Sequence, residues 1–287
     1  MRTTTFFSYK GGAGRSTTCL NTLPLLALAH SAYAGAPILL LDIDIESAGL
    51  TYLLSQGDSF KDYDVKTLLT DGYAGYDKGF ISIGNLLGLK DNDAVRFLGV
   101  NDNTDKRDDV IRLAPTMISR FKMAARNQGV SAIVFDSAAG DQATAEFAIN
   151  NSDRIVMCMR PTRQFRSGTF NYLNRKINNG AIDTYKEVVL LPTVVPKDAV
   201  IDGVSQLQAA QSDILNRISK LSNDKMVNKT FVKDPARLGI NEVTRFKWSE
   251  EILYKLKQEG VALSPDELSA IERYEELAKV LRKEKLN

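Results

Sequence analysis

The sequence predicts an α/β fold in which a doubly wound, mostly parallel sheet is flanked by helices. Three observations support this prediction. Near the N-terminus, a glycine-rich loop follows a β-branched and aromatic run that predicts a strand, and it leads into a stretch that predicts a helix. Short continuous apolar runs recur along the chain, which is the pattern of strands buried on both faces of a parallel sheet. These runs alternate with longer helical segments, as in folds that carry helices on both sides of a sheet.

The composition agrees with one globular domain covering residues 1–287, because 44% of the residues are apolar and 25% are charged. The longest apolar stretch, residues 23–41, is interrupted by two prolines, a histidine and a glycine, so we expect no membrane span there. Cys19 and Cys158 fall in a predicted helix and a predicted strand, which favours two buried thiols. These features indicate a cytoplasmic protein in a reducing compartment.

The first predicted strand, residues 3–7, leads into the glycine-rich loop and then into a helix over residues 17–34. Glycines at such a junction let the backbone turn tightly and point its N–H groups at an anion, and the helix N-terminus adds partial positive charge. Ser16 stands where a P-loop places the hydroxyl that binds Mg²⁺. The arrangement predicts a phosphate-binding loop.

The loop departs twice from the ordinary P-loop pattern, because Tyr9 replaces the first glycine and Arg15 replaces the lysine. It fits instead the pattern Lys-Gly-Gly-x-Gly-[Lys/Arg]-[Ser/Thr], which begins here with Lys10. This motif resembles the deviant Walker-A motif of the ParA/MinD family of dimerising ATPases. The resemblance implies a deviant P-loop NTPase fold, ATP and Mg²⁺ as cofactors, and slow hydrolysis that acts as a switch.

Two further segments resemble the switch regions of that family. The apolar run 38–41 continues into Asp42 and Asp44, which resembles switch I, although two acids capping the next helix are an alternative. The apolar run 132–135 ends at Asp136, the Walker-B position from which an acid holds Mg²⁺ beside the P-loop. Residues 137–140, ending in Gly140, then resemble switch II.

The resemblance assigns roles to individual residues. Nucleotide binding falls to Lys10, Gly11, Gly12, Ala13, Gly14, Arg15, Ser16 and Thr17. Ser16 and Asp136 hold Mg²⁺, with Asp42 behind them. Asp44 orients the attacking water, and Lys10 reaches across an ATP-bound homodimer to the phosphates of the other subunit, as an arginine finger does in trans.

The remaining segments complete the predicted sheet. Further strands are expected at residues 110–114, 155–159, 188–191 and 230–232. Further helices are expected at residues 119–127, within 161–178, at 202–221 and from 264 onward. Residues 55–110 are rich in Asp, Gly, Asn and Tyr and look like a variable insertion on the common core.

Positive charge is concentrated in the second half of the chain. Residues 1–150 hold 14 Lys/Arg and 17 Asp/Glu, a net charge of −3, whereas residues 151–287 hold 23 and 18, a net charge of +5. Arg237, Arg245 and Lys247 fall where the family has a basic loop near the dimer edge. The resemblance therefore implies a partition or positioning ATPase whose ATP dimer binds DNA without sequence preference and works with a small activator or adaptor protein. Ordinary solvated charges are the alternative.

Other functions are possible on the same fold. A metal-cluster or metabolic enzyme is disfavoured, because the chain has only two cysteines and no C-x-x-C motif. A regulatory or conflict-system NTPase acting on a protein partner stays open, because Arg15 and the switch I segment depart from the family pattern. The closing helix carries one apolar stripe, so we expect it to pack on the body of the protein and to provide no stable membrane anchor.

Overall fold

The computed structural model describes most of the chain up to residue 193 and shorter segments beyond it. The described residues are 1–30, 36–55, 60–71, 79–101, 107–183, 185–193, 200–201, 204–205, 209, 212–214, 216–217, 229–231, 274 and 277–282. Within them, the helices are α1 (Arg15–His30), α2 (Gly49–Leu54), α3 (Val65–Asp71), α4 (Arg107–Asn127), α5 (Ala143–Asn150) and α6 (Arg163–Asn178). The strands are β1 (Arg2–Phe7), β2 (Ile38–Ile43), β3 (Ile81–Ser82), β4 (Val95–Leu98), β5 (Ala132–Ser137), β6 (Arg154–Met159), β7 (Glu187–Pro192), β8 (Val200–Ile201), β9 (Val204–Ser205) and β10 (Lys229–Phe231).

Eight of these strands form one sheet in the described part of the chain, in the order β10-β7-β6-β1-β5-β2-β4-β3. Neighbouring strands are parallel except β3, which runs antiparallel to β4. The short strands β8 and β9 pair with each other as a separate hairpin. The predicted doubly wound, mostly parallel sheet is confirmed.

The strand order brings the predicted motifs to one edge of the sheet. After β1 the chain builds β2 two positions away, and β5 later fills the gap, while β6, β7 and β10 extend the sheet on the other side of β1. Such a reversal of strand order opens a crevice at the carboxyl ends of the strands. The register sets Phe6 opposite Asp136, and Asp136 opposite Asp42. The loops that follow β1, β2 and β5 therefore meet.

Apolar side chains pack on both faces of the sheet, because consecutive residues of a strand point to opposite sides. Phe6 belongs to a large core cluster with Leu23 of α1 and Phe121 of α4. Phe7 belongs to a second cluster with residues of α6, and its ring stacks on Tyr172 with the ring centroids 4.9 Å apart. Both cysteines are fully buried, as predicted, and burial raises the pKa of each thiol.

The segment before β5 differs from the prediction. Residues 110–114 were expected to form a strand, but α4 runs without a break from Arg107 to Asn127 and includes Pro115. The reason is the spacing of the apolar residues, since the buried ones recur every three or four positions, at Val110, Ala114, Ile118, Phe121 and Ala125. That spacing produces one helical face toward the core, and its burial outweighs the unfavourable proline.

The segment after β7 also differs in part. The predicted helix over 202–221 begins later, because residues 204–205 form β9, and the described helical residues there are 209, 212–214 and 216–217. The predicted last strand is confirmed as β10, at the edge of the sheet. Residues 55–110 contribute α3, β3 and β4, and β4 pairs with β2 in the main sheet.

The C-terminal helix packs on the body, as the apolar stripe predicts. Tyr274, Leu277, Ala278 and Leu281 are buried. The guanidinium of Arg154 donates to the carbonyl of Leu281. The predicted start of this helix at residue 264 lies outside the described residues. Among the helices that the structure describes, none combines the length and apolarity needed to cross a bilayer.

Candidate functional site

The glycine-rich loop between β1 and α1 forms a tight anion cradle. Gly12 and Gly14 adopt φ angles of +75° and +70°, in the left-handed region that only glycine enters without strain. The first turn of α1 follows directly, since the N–H of Thr18 donates to the carbonyl of Gly14 at 2.9 Å. The loop therefore delivers its backbone to the N-terminus of a helix, where an anion binds best.

Three neighbouring elements hold the carbonyl groups of this loop. The Nε of Arg160, after β6, donates to the carbonyl of Gly12 at 2.5 Å. The hydroxyl of Thr193, after β7, donates to the carbonyl of Ala13. The N–H of Gly140, after β5, donates to the carbonyl of Ser8 at 3.0 Å. These three hydrogen bonds fix the carbonyl groups and so hold the conformation of the loop.

The cleft in front of the loop has a volume of about 530 Å³. Its lining brings together seven of the predicted nucleotide residues, Gly11 to Thr17, with Asp44. The remaining lining residues come from the start of the glycine-rich loop, from α2 and from the loops after β2 and β5, namely Ser8, Ser47, Gly49, Tyr52, Leu53, Ala139 and Gln142. The cleft is thus built at the edge where the sequence predicts a phosphate site.

Arg15 lies between two acidic side chains at the base of the cleft. Its Nε is 2.7 Å from Oδ1 of Asp136, and one terminal nitrogen is 2.8 Å from Oδ2 of Asp44. Burial opposes the charge of Arg15, but Asp136 and Asp44 outweigh it and raise the pKa of the guanidinium. The arginine that replaces the P-loop lysine is therefore held charged on the two carboxylates.

Ser16 and Asp136 form the donor set predicted for Mg²⁺. The hydroxyl of Ser16 donates to Oδ2 of Asp136 at 2.6 Å. Burial raises the pKa of Asp136, while Arg15 and the Ser16 hydrogen bond pull it down. Hydroxyl and carboxylate oxygens beside a phosphate cradle are the ligands that Mg²⁺ uses in nucleotide sites, so the chemistry of these residues fits the ion.

Asp42 is fully buried behind the cleft and binds protein groups. Its Oδ2 accepts from the backbone N–H and from the hydroxyl of Thr51, both at 2.9 Å. The same hydroxyl accepts from the N–H of Val100 at 2.9 Å. Burial and the charge of Asp136 raise the pKa of Asp42 to about 7, against the lowering by the Thr51 bonds. Asp42 thus ties α2 to the ends of β2 and β4 and helps to hold the loop after β2.

The loop after β2 and the start of α5 contact each other at the cleft. The Nε2 of Gln142 donates to Oε2 of Glu46 at 3.0 Å. Ala48, at the start of α2, adopts a left-handed backbone with φ 44° and ψ 38°, and its N–H donates to the carbonyl of Asp44 at 2.7 Å. A residue with a Cβ pays about 1 kcal/mol for this conformation, and such strain clusters at switch regions and binding sites.

Lys10 is exposed and lies outside the cleft lining. Its Nζ is 5.9 Å from the ring centroid of Phe165, and the guanidinium of Arg160 is 5.8 Å from the same centroid. The structure therefore separates Lys10 from the other predicted nucleotide residues. The predicted DNA-binding residues Arg237, Arg245 and Lys247 lie outside the described residues.

Sequence reasoning missed three residues that shape this site: Arg160, Thr193 and Thr51. Arg160 and Thr193 follow apolar strands, so their place at the carboxyl edge could have been deduced once the strand order was known. Thr51 lies nine residues after Asp42 along the chain, and nothing in the local pattern marks it as its partner.

Comparison with known proteins gives the fold a family context. No protein-family model and no curated protein sequence matches the chain. Solved structures match over nearly the full length. They include pNOB8 ParA, with 15% identity, a TM-score of 0.66 and coverage of 98% of this chain and 99% of that chain. The fold is that of the ParA and MinD ATPases.

Two further structures with this fold were solved with nucleotide. An ATP complex of McdA from Cyanothece shares 13% identity with a TM-score of 0.64, covering 100% of this chain and 98% of that chain. MinD from Pyrococcus horikoshii, in complex with Mg-ADP, shares 17% identity with a TM-score of 0.60, covering 98% and 96%. At these identities the ParA/MinD resemblance seen in the loop motif is confirmed as a shared fold.

Proposed function

We propose that this chain is a Mg²⁺-dependent ATPase of ParA type that dimerises with ATP and separates after slow hydrolysis. The observation that carries the proposal is the braced glycine loop at the carboxyl edge of the sheet, next to Ser16, Asp44 and Asp136. Its backbone N–H groups and the α1 N-terminus suit the phosphates of a nucleotide. The nucleotide-bound McdA and MinD structures on the same fold support this assignment.

In this proposal each predicted residue keeps a distinct task. Gly11 to Thr17 bind the phosphates, with Arg15 turning from the carboxylates onto phosphate oxygens as a charged fork. Ser16 and Asp136 hold Mg²⁺, which offsets phosphate charge when bound. Asp42 supports them from behind by fixing switch I through Thr51. Asp44, on the cleft wall, orients the attacking water.

The ATP-bound state is proposed to be a homodimer that buries nucleotide between its subunits. Lys10 is exposed at the loop, which leaves it available to reach a second subunit. The mouth of the cleft also exposes apolar surface, since Tyr52 is 67% and Leu53 is 40% exposed on α2. Large exposed apolar side chains beside a ligand site are typical of contact surfaces.

The output is proposed to be positioning or partitioning of a cargo, through nonspecific DNA binding of the ATP dimer and a small activator or adaptor protein. Charge is the support, because residues 205–257 hold ten Lys/Arg against six Asp/Glu. Two copies of such a patch add phosphate contacts and steepen the salt dependence of binding. A protein partner in place of DNA is the alternative, and exposed Tyr52 beside the cleft suits it equally well.

The deciding experiment measures mass in solution with each nucleotide. Light scattering after gel filtration is run with Mg-ATP, with Mg-ADP and with neither. We expect a dimer with Mg-ATP and a monomer in the other two conditions. Calorimetric titration of Mg-ATP and Mg-ADP separates binding from dimerisation. A protein that binds neither nucleotide contradicts the ATPase proposal, and one that binds ATP as a monomer contradicts only the dimer.

A further inference from the structure

Arg15 pairs with both acidic side chains at the base of the cleft. Its two nitrogens lie 2.7 Å and 2.8 Å from Asp136 and Asp44. The second oxygen of Asp136 accepts the Ser16 hydroxyl at 2.6 Å. The second oxygen of Asp44 faces the N–H of Ser47 at 3.3 Å. All four carboxylate oxygens therefore already have a donor from the chain.

The pairing is buried enough to be stable. The side chains of Arg15, Asp44 and Asp136 are 11%, 10% and 1% exposed. Removing either partner from such a pair leaves an uncompensated charge away from water. A guanidinium is always charged and can fork onto two acids at once, whereas a lysine ammonium is a single point charge. Arginine at this position thus neutralises both carboxylates.

We propose that Arg15 is a resident counter-ion that keeps divalent metal ions out of the nucleotide-free protein. Arg15 can leave the carboxylates only for another strong anion, and a nucleotide bound at the glycine-rich loop would supply one through its phosphates. The exclusion of metal from the free protein does not depend on the proposed function.

The test uses metal alone, without nucleotide. Mn²⁺ prefers the same oxygen ligands as Mg²⁺, and its electron paramagnetic resonance signal falls when it binds protein. We expect no Mn²⁺ site in the wild-type protein at submillimolar concentrations. Arg15→Ala frees Ser16, Asp44 and Asp136, and it should gain a Mn²⁺ site in this range, at least about tenfold tighter than any weaker binding that the wild type shows at higher concentration. Arg15→Lys should fall between the two.

Two matched variants show whether the new site is the proposed one. Arg160→Ala removes the other arginine that contacts the loop but touches neither carboxylate, so it should gain no Mn²⁺ site. Arg15→Ala combined with Asp136→Asn should lose the site that Arg15→Ala gains. Wild-type protein that binds Mn²⁺ as tightly as Arg15→Ala overturns the proposal, and so does a folded Arg15→Ala protein that binds none.

Thermal unfolding keeps the proposal testable if Arg15→Ala does not fold. The melting temperature of the wild-type protein should not change with Mn²⁺ in the absence of nucleotide, because ligands that bind only the folded state raise it. A rise that Asp136→Asn removes would place metal beside Arg15 and refute the exclusion. Because no nucleotide is present, these results do not depend on whether the protein binds ATP, which the calorimetric titration decides separately.

Discussion

Two arginine–carboxylate clusters lie at opposite ends of the strands of the same sheet, one at the carboxyl ends and one at the amino ends. Their surroundings differ. Arg15 meets Asp44 and Asp136 at the carboxyl edge, beside an open cleft. Arg154 begins β6 at the amino edge and meets Glu187, which begins β7, with a terminal nitrogen 2.7 Å from its carboxylate. The second cluster also holds the C-terminal helix through the carbonyl of Leu281.

The charge balance of the two arginines differs as well. Burial lowers the pKa of Arg154 more than Glu187 restores it. At Arg15 the two aspartates outweigh burial and raise the pKa. The Arg154 cluster is covered by the C-terminal helix, whose Leu281 carbonyl accepts from Arg154, so this cluster stabilises the fold. The Arg15 cluster lies beside the glycine-rich loop and the N-terminus of α1, where an anion can bind. The guanidinium of Arg15 therefore has an alternative partner. Similar chemistry thus serves structure at one edge and binding at the other.

The largest expected effect breaks the structural cluster. Arg154→Ala leaves Glu187 partly buried and removes the bond to the C-terminal helix, so the free energy of unfolding should fall by about 3–5 kcal/mol. Urea unfolding measures it. Arg112→Ala is the matched control, because Arg112 pairs with Asp109 on the exposed surface of α4, and it should cost less than about 1 kcal/mol. Equal losses for the two variants would show that the amino-edge cluster does not stabilise the fold.

The next effect tests the binding cluster. Arg15→Ala should weaken Mg-ATP binding about 100-fold, or ~3 kcal/mol, because it removes charge-assisted bonds to phosphate. Arg15→Lys keeps one charge and should recover part of the loss. Calorimetry at a temperature where each variant is folded measures the affinities, with Arg112→Ala as the control. Unchanged affinity in Arg15→Ala would mean that this arginine stays on the carboxylates and does not hold phosphates.

Substitutions of Lys10 and Asp44 should have different effects on ATP-dependent dimerisation, although both should slow hydrolysis. Lys10→Ala should lose ATP-dependent dimerisation and slow hydrolysis by about 100-fold, because transition-state charge is then unpaired. Asp44→Ala should slow hydrolysis similarly through loss of water activation, yet bind ATP and accumulate the dimer. Phosphate release and light scattering measure the two properties. Hydrolysis at the wild-type rate in Lys10→Ala would refute the proposal that this lysine reaches the nucleotide of the other subunit.

The comparison of the two edges also shows what the sequence could predict. The apolar runs before Asp42 and Asp136 and the glycines after β1 are local patterns, and each fixes where one strand ends. Parallel strands then bring those ends together, so the cleft follows from topology. The strand expected at residues 110–114 failed because its short apolar run was read without the helical spacing that continues to Phe121 and Ala125.

The direction of a side chain depends on partners that are far away along the chain. The sequence alone could not predict these pairings. Arg15 and Asp136 are 121 positions apart, and Arg160 is 148 positions from the Gly12 carbonyl that it holds. From the loop motif alone, Arg15 is expected to bind phosphate. The pairing of β2 with β5 brings Asp44 and Asp136 together, and both carboxylates then lie within hydrogen-bond distance of Arg15.

The smallest expected effect concerns two basic residues late in the sequence. Arg245→Glu with Lys247→Glu should weaken DNA binding by the ATP-loaded, hydrolysis-blocked Asp44→Ala protein about tenfold at low salt. Binding should fall steeply with salt and ignore sequence, because phosphate contacts carry no sequence information. A mobility assay measures it.

The control for that assay reverses two exposed charges on α4, Arg112→Glu with Arg120→Glu, which changes the net charge equally but leaves the basic segment, residues 237–247, unchanged. If both pairs weaken retention alike, the effect comes from overall charge and the basic segment has no special role. If the Asp44→Ala protein with ATP retains no DNA at low salt, the carboxyl edge controls something other than DNA. The surface with Tyr52 and Leu53 would then be the first place to seek a protein partner, because these exposed apolar side chains line the cleft proposed to bind nucleotide.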